Sequence, residues 1–149
     1  MKALSYSTPW PTAIERHGKL AENRNRWLPH RHLIAQAERM VGRDHAIHAS
    51  GTFDREGAEY IRERTGQLYT RKTVVSKAIT SVATVSGLLY PGDPCPAGQE
   101  DWWFGGFALL LANVRVLATP VPMTGGLGWL TVPEAQEQAV LAQLDGFTS

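Results

Sequence analysis

The chain has 149 residues, of which 43% are hydrophobic and 19% charged, with 14 Gly and 9 Pro. A chain of this length makes a single domain that buries roughly 70% of the surface its unfolded form exposes, so it needs neither a disulfide nor a metal to fold. Lys and Arg number 15 against 14 Asp and Glu, a net charge of +1 that excludes a histone-like or polybasic protein, and the lone Cys95 excludes a disulfide framework or a cysteine-rich zinc site. The most apolar stretch, Trp102 to Val116, is broken by Gly105, Gly106, Asn113 and Arg115, and falls short of the ~20 apolar residues a membrane helix needs. The N-terminus shows neither a long apolar core nor a small-residue cleavage site. The expectation is a cytoplasmic protein that uses no membrane and no cofactor.

Taken in chain order, Ala3 to Tyr6 reads as a strand, and the Thr8-Pro9 turn leads into a helix. Trp10, Ala13, Ile14 and His17 recur there at i, i+3, i+4 and i+7, and Gly18 supplies the stop. A polar, arginine-rich segment from Glu22 to Arg43 follows. Ala46 to Ala49 is a strand, and Thr52 is a candidate N-cap for a helix reaching Arg64, with Phe53, Tyr60 and Ile61 on its buried side and Gly66 at its end. Val74 to Val85, mostly β-branched and small, predicts another strand. Leu88 to Glu100, with Pro91, Pro94 and Pro96, predicts a loop. From Leu110 the alternation places Leu110, Ala112, Val114, Val116 and Ala118 on one face, with Asn113, Arg115 and Thr119 on the other. Gly125-Gly126 turns the chain into a last strand, Leu127 to Leu130. Thr131-x-x-Glu134 reads as a capping box with Pro133 in the first turn. The closing helix buries Val140, Leu141 and Leu144 and stops at Gly146. Five or six strands with a few helices predict an α+β fold built on a small, strongly bent sheet or barrel.

Charge is unevenly spread. Arg16, Lys19, Arg24, Arg26, Arg31, Arg39 and Arg43, with all five histidines, lie between Arg16 and His48, whereas Arg115 is the sole cation from Gly87 onward. That asymmetry marks either an anion-facing side or an ordinary solvated face.

Three ordered blocks carry a resemblance. The first is Leu4-Ser5-x-x-x-Pro9-Trp10, with a helix ending at Gly18-Lys19-x-x-Glu22-Asn23-Arg24. The second is Ile47-His48-Ala49-Ser50. The third runs Trp103-Phe104-Gly105-Gly106-Phe107, through Leu111-x-Asn113-Val114-Arg115, to Pro120-Val121-Pro122 and Gly126-Leu127-Gly128-Trp129. Together they resemble the ASCH domain of the PUA-like superfamily, in its GKxxENR variant, over almost the whole chain. The resemblance implies a single domain over residues 1–149, a PUA-like β-barrel of five or six strands with flanking helices and a cleft between them. The segment at about 25–44 departs from the family in being longer and more basic. Family members are regarded as RNA- or nucleotide-binding modules, and a few have hydrolytic activities. One bacterial branch looks like an amidohydrolase on acetylated cytidine, with a Lys, a Thr three residues on, an Arg two beyond that, and a Glu from a later loop in its pocket. Lys19 and Arg24 match the Lys and the Arg. Glu22 occupies the Thr position, so a threonine nucleophile is not available there, and Glu100 and Asp101 correspond to the later Glu by region only.

The residues themselves suggest chemistry. Glu22 and Arg24 point to the same side of an extended segment, and Lys19 can swing toward them. A Lys and an Arg flanking one carboxylate either form a structural ion network or hold a phosphate, with Arg bidentate and Lys as a point charge. As an enzyme, the site would use Lys19 as base or electrostatic stabiliser with Glu22 as its carboxylate partner, or Glu22 itself as the base, and Arg24 to hold the anion. Arg26 extends the basic rim, Trp10 and Trp102 are candidate base-stacking platforms, and His48 and Ser50 line the cleft mouth. His30-x-His32 and His45-x-x-His48 have metal-like spacing, but no cysteine or acidic cluster accompanies them, so no metal is assigned. The partners expected are RNA, single-stranded nucleic acid or a modified nucleotide or nucleoside. The alternatives of a small hydrolase (an amidohydrolase on acylated cytidine-type nucleosides, or a ribonuclease) and of a protein-interaction domain stay open. For a ligand-binding Lys19 or Arg24, substitution by Ala is expected to weaken binding while leaving the melting temperature nearly unchanged.

Overall fold

The computed structural model describes residues 1–145. In chain order these form β1 (Lys2–Thr8), α1 (Trp10–Arg16), β2 (Ala21–Asn23), a 3-10 turn (Asn25–Trp27), α2 (Arg31–Met40), β3 (Asp44–Phe53), α3 (Arg55–Thr65), β4 (Ala78–Leu89), β5 (Ala108–Pro122), β6 (Leu130–Thr131) and α4 (Glu134–Leu144). The strands make one mixed sheet in the order β2-β5-β4-β3-β1-β6, in which β1 and β3 run parallel and every other pair is antiparallel. The sheet curls into a half-barrel, an α+β architecture with six strands and four helices.

Both faces of the sheet are covered, because β1 and β3 carry apolar residues at both parities. Leu4, Tyr6 and Ile47 pack with Phe107, Leu109 and Leu111 on one side, joined by Trp27, Ala37 and Met40. Ala3, Ala46, Ile79 and Val82 pack with Leu117, Val121, Val132 and Val140 on the other. The arginine-rich segment is therefore partly structural: Trp27 from the 3-10 turn and Ala37 and Met40 from α2 are core residues.

Several local expectations shift. The parallel ladder pairs Thr8 with Phe53, which keeps Thr52 in β3 and moves the N-cap of α3 to Asp54, whose carboxylate accepts from the Gly57 N–H at 2.9 Å. The fourth strand starts at Ala78 rather than Val74, after a turn closed by Thr70 and Thr73. In β5, Val82 opposes Arg115 while Thr84 opposes Ala112, so β5 carries one extra residue at Asn113, which adopts φ of 51°. Across this bulge the buried side changes face: Leu109 and Leu111 pack in one core, whereas Leu117, of the same parity, packs in the other, and Val116 and Ala118, predicted to share a buried face with Leu110, are exposed. The predicted capping box does not form. Thr131 stays in β6, where it accepts from Lys2 Nζ at 3.0 Å, and Pro133 is the N-cap of α4 without a side-chain cap bond. The last strand is only Leu130–Thr131, and Leu127 is 99% exposed. In α4, Val140 and Leu144 are buried and Leu141 is exposed; the stop assigned to Gly146 lies outside the described residues.

Candidate functional site

The half-barrel does not close by strand pairing. The outer edge of β1 pairs with β6 only at Lys2 and Ala3, so its edge from Ser5 onward has no strand neighbour there. The curl brings β2, at the far end of the sheet, round to face that edge. Arg24, just after β2, spans the gap by donating from Nη2 to the Ser5 carbonyl at 2.9 Å. A cleft of about 1700 Å³ lies along this seam.

Local sequence explains how the floor of the cleft is built. Gly18, at φ of 71°, ends α1 and lets the chain reverse into Lys19. The backbone that follows is held by a side chain from the proline-rich loop: Gln99 Oε1 accepts from the Leu20 and Ala21 N–H groups at 2.8 and 3.1 Å, and its Nε2 donates to the Gly18 carbonyl at 3.0 Å. Along Glu22–Asn25 the side chains then alternate. Glu22 and Arg24 meet on one side, with Arg24 Nη2 at 3.1 Å from Glu22 Oε2. Asn23 and Asn25 grip the 102–107 loop: Asn23 donates to the Trp102 carbonyl at 2.8 Å and accepts from the Phe104 N–H at 3.1 Å, and Asn25 accepts from the Phe107 N–H at 3.2 Å.

Lys19 Nζ donates to the Ala21 carbonyl and lies 3.1 Å from Glu22 Oε1, under the Trp10 ring at 5.3 Å from its centroid. It is only 1% exposed. Burial pushes the Lys19 ammonium down from its ordinary pKa, and Glu22 pulls it part of the way back. Arg24 stacks over the Tyr6 and Trp27 rings, 5.0 and 5.3 Å from their centroids. The three charges thus form one network, Lys19–Glu22–Arg24, whose more accessible members are Glu22 and Arg24. Because Lys19 is this deeply enclosed, its substitution by Ala is now expected to lower the melting temperature as well as any binding.

Of the residues singled out in the sequence, Trp10, Lys19, Glu22, Arg24, Arg26, His48 and Ser50 all line this one cleft. Trp102 does not. It is 5% exposed and packs with Ala13 of α1, Ile61 of α3 and Tyr69, while Asn23 holds its backbone carbonyl. The exposed aromatic of that loop is Phe104, 55% accessible and edge-on to Trp10 at 6.4 Å. On the rim, Arg26, His30 and His32 face the cleft, whereas Arg31, Arg39 and Arg43 do not.

Sequence reasoning missed Phe104, Asp54, Lys77 and Ser5 as cleft residues. Ser5 had a readable signal: Ala3, Ser5 and Ser7 alternate with Leu4 and Tyr6, and polar side chains among apolar ones on a strand call for partners. Its partner is His48, the residue beside it in the parallel ladder, at 3.0 Å from Ser5 Oγ to Nδ1. His48 Nε2 lies 2.6 Å from the Met123 carbonyl. Another histidine behaves differently. His45 is fully buried between the Tyr6 hydroxyl at 2.7 Å and the Ala83 carbonyl at 3.0 Å, and burial lowers its pKa to about 4. Among the described residues no three His, Cys, Asp or Glu side chains converge as a metal site, and no helix is long and apolar enough to cross a membrane.

No family model matches the chain, and no curated protein matches it. Among solved structures, it is similar to a point variant of ZmASCH from Zymomonas mobilis, at 14% identity and a TM-score of 0.49, over 95% of this chain and 94% of that one. That neighbour is an ASCH domain protein.

Proposed function

We infer that this chain is an ASCH-type module that holds single-stranded RNA or a nucleotide in the seam cleft. The observation that carries the reading is the charge of the cleft lining. Four basic side chains, Lys19, Arg24, Arg26 and Lys77, stand there against two carboxylates, and both carboxylates are already engaged. Glu22 is held by Lys19 and Arg24, and Asp54 caps α3 and accepts from Trp10 Nε1 at 2.9 Å. Arg26 and Lys77 make no ion pair among the described residues. A lining with surplus positive charge and satisfied acids favours an anionic ligand. Phe104 and the flank of Trp10 add aromatic faces on which a base can stack. At about 1700 Å³ the cleft has room for a nucleotide or a short strand.

Fluorescence anisotropy with a labelled single-stranded RNA oligomer, repeated over a salt series, tests this. Binding that weakens with salt, and weakens again in Arg26→Ala/Lys77→Ala at unchanged melting temperature, is the expected result. Absence of salt-sensitive binding to RNA, to single-stranded DNA and to mononucleotides would refute it. Hydrolysis of an acylated nucleoside or of RNA is the second reading, supported by the lowered pKa of Lys19, which brings a neutral amine closer to neutral pH. It predicts product from an acylated cytidine or a short RNA with the parent protein and none with Lys19→Met assayed below its melting temperature.

A further inference from the structure

The Ser5–His48 pair carries hydrogen-bond directions that can be assigned from its partners. The Met123 carbonyl only accepts, so His48 Nε2, 2.6 Å away, must carry the proton. In the neutral ring Nδ1 is then a lone pair, and it receives the Ser5 hydroxyl at 3.0 Å. Ser5 Oγ in turn accepts from the Gly126 N–H at 3.2 Å. The backbone presses close here: a Cβ on Gly125 would stand 2.6 Å from both Ser5 Oγ and His48 Cε1. His48 is 1% exposed, while Ser5 is half-buried and lines the cleft. A hydroxyl facing a cleft, a base behind it and a third group fixing the base's tautomer are the three parts of an activated nucleophile.

We propose that Ser5 is an acyl-accepting nucleophile, with His48 as its general base, and that the cleft hydrolyses carboxylic esters. This rests on the pair's geometry alone and not on nucleic-acid binding. In the first step Ser5 Oγ bonds to the acyl carbon while its proton passes to His48 Nδ1. The carbon–oxygen bond to the alcohol breaks, and the departing alcohol takes that proton. In the second step a water gives a proton to Nδ1 and attacks the acyl carbon; Ser5 Oγ leaves and recovers the proton, releasing the carboxylic acid. Nε2–H stays on the Met123 carbonyl throughout. The Gly126 N–H, already aimed at Oγ, is the nearest donor for the oxyanion formed beside it. The orienting group is a neutral carbonyl, which stabilises the imidazolium less than a carboxylate does. Esters, whose alcohols leave readily, are therefore favoured over amides.

The test uses the full chain with p-nitrophenyl acetate. A burst of p-nitrophenolate and an acetyl adduct localised by mass spectrometry to the peptide bearing Ser5 are expected. Ser5→Ala and His48→Gln should each lose roughly 100-fold or more of the burst rate, the scale of a positioned base. Should either variant fail to fold, labelling of the unsubstituted protein by a fluorophosphonate decides the matter, because reaction at Ser5 requires an activated hydroxyl and no substitution. A folded parent protein with no burst and no adduct at Ser5, or with the label on another residue, overturns the proposal. Salt-sensitive RNA binding is read on the same preparation, so that result leaves the binding proposal untouched.

Discussion

Lys19 is the residue whose chemistry the fold alters most. An ammonium that would sit in water on an isolated helix end is here enclosed by Trp10, Glu22 and the Ala21 carbonyl. Lys19→Met should cost about 2 kcal/mol in urea unfolding, below the ~3–5 of a fully orphaned buried pair because Glu22 keeps Arg24 as a partner. Arg26, exposed on the rim, behaves oppositely: Arg26→Ala should stay within about 0.5 kcal/mol of the parent in stability. Phe104→Ala should also leave stability nearly unchanged. If Phe104 is a stacking platform, however, it should weaken RNA binding by ~1–3 kcal/mol, read by anisotropy. An equal affinity in that variant would show that bases do not rest on this ring.

At the scale of elements, what was legible followed from periodicity and what was not depended on contacts distant in sequence. The alternation in Glu22-Asn23-Arg24-Asn25 reads directly off the chain, and the structure has Glu22 and Arg24 meeting on one side, opposite the two asparagines. The positions of β1, α1, β3, α3, β5 and α4 were readable for the same reason, with boundaries moved by pairing rather than propensity. The bulge at Asn113 was not readable, because an extra residue in one strand shows only against its partner. Nor was Trp102, which acidic neighbours made look exposed but which packs against Ala13, Ile61 and Tyr69, all distant in sequence. Gln99 was invisible for that reason too. It lies in a segment that reads as loop, yet it serves the Gly18–Ala21 backbone as a substitute strand. Gln99→Ala leaves the buried Ala21 N–H and the half-buried Leu20 N–H without their acceptor, and should lower stability by about 1–3 kcal/mol. Hydrogen exchange should show faster exchange of the Leu20 and Ala21 amides than the global loss alone explains; unchanged protection there would refute the role.

For the whole molecule, two dependences follow from charge. His45 stays neutral in the fold down to about pH 4 but protonates at 6.5 in the unfolded chain. The unfolded state gains the proton first as pH falls, so stability that is present above pH 6.5 drains away between 6.5 and about 4. At ~1.4 kcal/mol per unit, the loss reaches about 3 kcal/mol. Urea midpoints at a series of pH values check this, and a flat profile across that window would show that His45 is not held as a buried neutral ring. The second dependence is on salt. With Arg24, Arg26 and Lys77 as the phosphate partners, the slope of log affinity against log salt for single-stranded RNA should be about −2, at roughly 0.7 per contact.

The contact between Arg24 and the Ser5 carbonyl has a mechanical consequence. Two margins of a curled sheet are buttoned by one guanidinium instead of being laced by a ladder of amides. Parting them to admit a bulkier guest unzips no strand pair, so the width of the slot can adjust while the scaffold behind it stays rigid.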